Sequence, residues 1–299
     1  IGANGFTTLV DLVGSTATSF ELSTIVGHGA LSAAGDIVVG TRYVDGVAQL
    51  VRANVNTGDV EVLGIVGNSI SRAYVTPDAA TIVGFGGSLH PTEDNPLEQY
   101  GGGGFRWNAA GLSLGLPGMP AGASAWPEAV SSDGTVIAGQ SPSSGQHFRW
   151  TEAGGYVDIA IASGQSATSL SADGSVLLGS LDPDDARDST AFRWTEATGV
   201  VELTPGRTSL ATDISADGNV IVATSWEEAQ NDGAPPDDTF IWDAEHGTRT
   251  LDEVLAARGV DVSGWQFGHA RSLSDDGKVL LGIGRCGGEQ TLYRIVLSD

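Results

Sequence analysis

Short apolar runs, punctuated by turn residues, recur along this chain in one fixed phrase. A Val/Ile/Leu-rich run leads into Ser-x-Asp-Gly, and a second run, often ending in Gly, follows the turn. After a loop come Phe-Arg-Trp, another turn with Gly, and a last run. Ser131-Ser132-Asp133-Gly134 leads to Phe148-Arg149-Trp150 and Gly155. Ser171-Ala172-Asp173-Gly174 leads to Phe192-Arg193-Trp194 and Gly199, and Ser215-Ala216-Asp217-Gly218 to Phe240-Ile241-Trp242 and Gly247. Asp-Gly between two apolar runs is a strong hairpin signal, because Gly accepts the positive φ that tight turns demand. The pattern predicts four short strands per unit.

Three further copies extend the array. Ser32-Ala33-Ala34-Gly35 begins one, with Val51-Arg52-Ala53 in the aromatic slot, and Thr76-Pro77-Asp78-Ala79 begins another, with Phe105-Arg106-Trp107. The last runs from Ser274-Asp275-Asp276-Gly277 to Tyr293-Arg294-Ile295 near the chain end. Four-stranded antiparallel units of about 40 residues are the signature of a β-propeller. The fold class expected is therefore all-β, a single β-propeller domain over residues 1–299 with six four-stranded blades. A seventh blade follows if residues 13–29 hide a degenerate unit. The sixth unit runs out before its fourth strand, and Gly5 to Leu12 resembles the missing piece. An N-terminal strand completing the last blade would close the ring and remove its exposed edges.

These motifs resemble the HAF-repeat family of bacterial extracellular and autotransporter-like proteins. The resemblance lies in Ser-x-Asp-Gly, the Val-x-x-Gly type of strand, and the slot seen as His147-Phe148-Arg149-Trp150 and Ala191-Phe192-Arg193-Trp194. It covers nearly the whole chain and implies secretion to the cell surface, periplasm or medium, with a propeller-like array and no catalytic residues to carry over. Ala79 departs from the pattern in place of the turn Gly, and the first unit lacks both the Asp and the aromatics.

Charge narrows the partners. The chain carries 37 acidic and 14 basic residues, a formal net charge of −23, and Lys278 is its only lysine. Such a field repels nucleic acid and anionic lipid. No apolar run approaches the roughly 18 residues of a membrane helix, so neither nucleic acid nor membrane insertion is expected, and a monomer is. Cys286 is alone, which excludes an intramolecular disulfide and any metal site built on several thiolates. The start at Ile1 reads as a trimmed or mature fragment.

Within the repeated phrase, Phe and Trp sit two apart and share one face of their strand, as packing between blades requires. The intervening Arg points the other way, toward a carboxylate of the same or next blade. Each turn Asp is explained by hydrogen bonds to nearby backbone. Function is instead expected where the units differ. The loops between second and third strands vary in length, and Gly86–Gly104, Leu181–Thr190 and Trp226–Asp238 are Gly-rich or acidic. The entry ends of the first strands share that face and offer His28, Arg72, Tyr74, Trp126, Glu128, Asp213, His269 and Arg271 as channel-mouth binding residues. His28 and His269 both fall just before a first strand, and these strands belong to blades that would adjoin across the seam of the ring. Asp182, Asp184 and Asp185 supply hard oxygen ligands for calcium, although the EF-hand pattern is absent and a solvated acidic loop explains them without a cofactor. No Gly-x-Ser-x-Gly elbow or phosphate loop occurs in proper context. The leading expectation is a secreted, non-catalytic module that holds a glycan, peptide or protein partner. The alternatives are a hydrolase or lyase with its site at the channel entrance, and a purely structural domain.

Overall fold

The structure is a computed structural model that describes residues 7–13, 16–22, 26–45, 47–67, 72–86, 103–119, 124–142, 144–159, 167–181, 189–225 and 238–297. By their internal contacts the residues group into two compact units. The first comprises Ile1–Val130, Ser141–Ser144 and Phe148–Val157, and the second Ser131–Gln140, Gly145–His147 and Asp158–Asp299. Among the described residues the strands form six four-stranded antiparallel sheets and one two-stranded hairpin, and one short helix lies between the fifth and sixth sheets.

In the first unit, β1 (Thr7–Val13) and β2 (Thr16–Leu22) make the hairpin. The first sheet follows as β3 (Val26–Leu31), β4 (Ile37–Val44), β5 (Val47–Asn54) and β6 (Val60–Gly67). The second holds β7 (Arg72–Val75), β8 (Ile82–Phe85), β9 (Gly104–Asn108) and β10 (Gly111–Leu114). The third sheet runs β11 (Trp126–Val130), β12 (Val136–Gln140), β13 (His147–Thr151) and β14 (Gly155–Ile159), with β12, His147 and the end of β14 counted in the second unit.

The second unit continues with β15 (Ala167–Leu170), β16 (Val176–Leu181), β17 (Thr190–Thr195) and β18 (Gly199–Glu202) as the fourth sheet. The fifth is β19 (Ser209–Ile214), β20 (Val220–Ser225), β21 (Thr239–Asp243) and β22 (Gly247–Thr250). Then comes α1 (Leu251–Ala257), where Thr250 and Glu253 form a reciprocal capping box. The sixth sheet contains β23 (Trp265–Gln266), β24 (Ala270–Leu273), β25 (Val279–Cys286) and β26 (Glu289–Val296).

The chain ends differ from the sequence expectation. Among the described residues Thr7–Val13 pairs along its whole length with β2, and no pairing of it with the sixth sheet is found, so the expected closure is not confirmed. Among the described residues β26 pairs with β25 alone, while β23 and β24 share the other edge of β25. The physical reason is local. Two residues, Gly14-Ser15, separate two strand-forming runs, which is a two-residue hairpin connection of the Gly-x kind. A hairpin closes with far less loop entropy than a pairing across nearly 300 residues of chain.

The repeated turn is a closed hydrogen-bond unit. In the third copy the Ser131 hydroxyl donates to Asp133 Oδ1 at 2.7 Å and accepts from the Val136 amide at 2.9 Å. Asp133 Oδ1 also accepts from the Thr135 amide at 2.9 Å. The Asp173, Asp217 and Asp276 turns repeat the arrangement. In the first unit's own variant, Ser32 donates instead to Asp36 Oδ1 at 2.8 Å, so a carboxylate two positions later replaces the missing Asp. Ala79 adopts φ +54°, the same left-handed backbone that Gly takes in the other copies, and keeps the turn shape.

Two motifs that look separate in the sequence are one packing device. Registers place Gly84 opposite Phe105, Gly179 opposite Phe192 and Gly282 opposite Tyr293. A Cβ at Gly84 would lie 2.8 Å from Phe105 Cζ and 2.3 Å from the Arg72 carbonyl oxygen. The bare glycine therefore makes room for the ring across the strand pair. Phe105, Phe148 and Phe192 are fully buried, each removing enough apolar surface to contribute about 1.5–3 kcal/mol.

Neighbouring sheets are then braced by the middle residue of Phe-Arg-Trp. Arg52 lies over the Trp107 ring at 4.9 Å, Arg106 over Trp150 at 5.0 Å, and Arg193 over Trp242 at 4.7 Å. Arg52 also pairs with Glu61 of its own sheet at 2.7 Å, and Arg106 with Glu152 of the next at 3.1 Å. The carboxylate pairing was expected. The cation–π stack on the next sheet's Trp was not.

Candidate active site

The first strands pack side by side, β3 against β7 and β7 against β11. Arg72 and Tyr74 lie two apart on β7, and Trp126 and Glu128 two apart on β11, so each pair shares one face of its strand. The structure brings these four expected residues together within the first unit. The Arg72 guanidinium and the Tyr74 hydroxyl act on each other's titration, and the charge of Glu128 acts on both.

The electrostatics follow from that arrangement. The hydrogen bond to Tyr74, its charge and that of Glu128 hold Arg72 above its ordinary pKa, against a small opposing cost of burial. Tyr74 is pushed up from its ordinary value of 10.0, chiefly by burial and further by Glu128, while Arg72 pulls the other way. At neutral pH the phenol is therefore protonated and can give a proton. Glu128 is 6% exposed, a carboxylate held in a poorly hydrated setting where its interactions are strengthened.

An aromatic plate adjoins this trio. Phe85 stands opposite Arg72 in the β7–β8 register. Its ring stacks on Trp126 with centroids 5.3 Å apart and planes 19° apart. Both rings remain partly exposed. Phe85 was absent from the sequence expectation, and its signal was the register, since a residue facing Arg72 across a hairpin belongs to the same neighbourhood. The missing Cβ at Gly84 leaves room for the Arg72 carbonyl oxygen, which a side chain there would meet at 2.3 Å.

The other expected residues fall elsewhere. Asp213, in the second unit, accepts from the amides of Ile214 at 2.9 Å and Leu273 at 2.8 Å, tying β19 to β24. Burial raises its pKa against those hydrogen bonds, and the carboxylate serves as a tie between sheets. His269 and Arg271 are exposed at and beside β24. His28 lies in β3, and its side chain, with the pairing to His269, is outside the described residues. Asp182, Asp184 and Asp185 are outside them too. Among the described residues no three His, Cys, Asp or Glu side chains gather to hold a metal. No helix among them is long and apolar enough to cross a membrane.

Sheet architecture and comparison with solved structures define an all-β protein of the β-propeller class. The β-propeller domain of the Trilobed protease from Pyrococcus furiosus, described as an open velcro topology, matches 98% of this chain and 90% of its own, with a TM-score of 0.56 and 11% identity. An oligogalacturonate lyase in complex with manganese matches 98% of this chain and 82% of its own, with a TM-score of 0.59 and 15% identity. The acylaminoacyl peptidase of Pyrococcus horikoshii matches 98% of this chain at a TM-score of 0.55 and 13% identity, and the chain spans 48% of that protein's length. No protein-family model matches the chain, and no curated protein does. At such identities the likeness concerns the fold. It nonetheless corrects the leading expectation of a non-catalytic binding or scaffold module, since these propellers belong to a protease, a peptidase and a lyase.

Proposed function

We propose that this chain is a propeller hydrolase or lyase that acts on a short oligosaccharide bearing carboxylates, with elimination as the favoured chemistry. The observation that carries the reading is the Arg72–Tyr74–Glu128 trio beside the Phe85–Trp126 plate. Aromatic faces accept the C–H faces of sugar rings, and a guanidinium accepts a carboxylate through paired hydrogen bonds. Among the described residues Glu128 is the carboxylate acting on Arg72 and Tyr74, whereas glycoside hydrolysis in its usual form needs two.

In this reading Arg72 binds the uronate carboxylate and stabilises the enolate that forms when Glu128 removes the proton on the adjacent carbon. The electron pair left on carbon forms the double bond as the neighbouring C–O bond breaks. Tyr74 gives its proton to the departing oxygen. Glu128 then releases the proton it took and Tyr74 regains one, so the balance closes without a redox partner. A net charge of −23 opposes a long polyanion and suits short fragments. Secretion, implied by the HAF-repeat resemblance, fits an enzyme meeting such fragments outside the cell, and belongs to the proposal.

The test is incubation of the chain with oligouronates and neutral oligosaccharides, reading both new reducing ends and ultraviolet absorbance of an unsaturated product. Both signals together support elimination, and reducing ends alone support hydrolysis. Neither signal on any substrate refutes the assignment.

A further inference from the structure

In the second unit the Arg-on-Trp brace stops. Where the fifth sheet should present Arg it presents Ile241, and where the sixth should present Trp it presents Ile295. The two isoleucines share one apolar cluster with Val254 and Leu255 of α1. Two bulky polar-faced groups are thus replaced by two smaller apolar ones, and a short helix is laid against the gap. A cavity of about 520 Å³ opens there, with Val220, Ile241, Val254 and Leu297 on its walls. That volume lies within the range of small-molecule sites.

Its rim is unusual for this chain. Lys278, the only lysine, and Arg258 both line the cavity and are exposed. Among the described residues neither forms an ion pair. Asp243, the most enclosed carboxylate of the lining, is already engaged, by Arg249 at 2.6 Å and His246 at 2.8 Å. Asp276 is held within its own turn by Ser274 and the Lys278 amide, and Glu245 remains exposed at the rim. In a protein with 37 acids and 14 bases, one apolar cavity carries at its mouth two cations that form no ion pair among the described residues, the charge of Lys278 also acting on Asp276.

We infer that this cavity binds a small amphiphilic organic anion, with its apolar body on Ile241, Val254 and Leu297 and its carboxylate toward Lys278 and Arg258. The site is separate in chemistry and residues from Arg72, Tyr74 and Glu128. The apolar wall accounts for a hydrocarbon body and the cations for an anionic end.

Calorimetry of the full chain with hexanoate, acetate, inorganic phosphate and hexanol tests this. Hexanoate should bind saturably, and acetate at least about tenfold more weakly, because each methylene withdrawn from water contributes about 0.8 kcal/mol. Phosphate and hexanol should each be weaker than hexanoate, lacking one half of the interaction. Lys278→Gln with Arg258→Gln, both at exposed positions, should weaken hexanoate about tenfold or more while leaving the thermal transition in place. Ala257→Trp, at the exposed helix edge of the cavity, should block it. The inference is overturned if hexanoate does not saturate, if hexanol binds as well, or if the double variant binds hexanoate unchanged.

Discussion

The backbone amide of Ser132 donates to the carbonyl oxygen of Ala172 at 2.8 Å, joining the second residue of one repeated turn to the second residue of the next. Ala172 donates likewise to Ala216, and Ala216 to Asp275, each at 2.8 Å. In the first unit Ala33 donates to Pro77 at 2.8 Å, and Pro77, having no N–H, accepts without passing the bond on. Turn amides ordinarily exchange fast. The amides of Ala33, Ser132, Ala172 and Ala216 should exchange slowly, like strand amides, in native-state hydrogen exchange. Exchange at the rate of an unprotected amide would mean that the turns are not linked.

The turn aspartates make stability depend on acid. Hydrogen bonds from the Ser or Thr hydroxyl and from the amide two residues on hold Asp78, Asp133 and Asp217 below their ordinary value of 3.8, and the same two donors act on Asp173 with the amide foremost. A folded pKa lower than the unfolded one contributes stability that is complete above the unfolded value and is lost as pH falls through the folded one. Urea midpoints should therefore be flat near neutrality and decline below about pH 4. Asp133→Asn with Asp173→Asn should flatten that decline.

Arg106 carries both a carboxylate partner and an aromatic one. Glu152 is largely exposed, so the ion pair contributes little. The stack on Trp150 is better shielded, with the Arg106 side chain 13% exposed. A double-mutant cycle with Arg106→Met and Trp150→Leu should give a coupling of about 0.5–2 kcal/mol, larger than the cycle for Arg106 with Glu152→Gln. The reverse order would assign the brace to charge alone.

Gly84 links scaffold to site. Gly84→Ala drives a Cβ toward the Arg72 carbonyl oxygen and the Phe105 ring, and should cost about 1–3 kcal/mol in urea unfolding, as overpacking does. Because Arg72 moves with its carbonyl, the same variant should also lose turnover. The fifth sheet carries Ala223 opposite Phe240, so the constraint at Gly84 comes from the approach of Arg72 as well as from the ring.

Much of the scaffold was legible because the repeat writes it several times. Ser-x-Asp-Gly fixed the hairpins, and the four-strand unit followed from the spacing between that turn and Phe-Arg-Trp. The Arg-on-Trp stack was not legible, since it joins residues on different sheets and no local pattern encodes which face of one sheet meets the next. The β1–β2 hairpin has its local signal in Gly14-Ser15, which the likeness of Gly5 to Leu12 to a fourth strand left unread. At the candidate site, their place at the entry ends of first strands singled out Arg72, Tyr74, Trp126 and Glu128. The same reasoning could not separate them from Asp213, because a carboxylate spent on backbone amides looks identical in sequence to one available for chemistry.

The most direct measurement is turnover of short oligouronates by the native chain and by Glu128→Gln, Tyr74→Phe and Arg72→Gln, followed by ultraviolet absorbance. The account predicts measurable elimination by the native chain and a loss of about 10²–10⁴-fold in each variant, with urea unfolding of Tyr74→Phe little changed. Native rates retained in all three variants, or no turnover by the native chain, would contradict it.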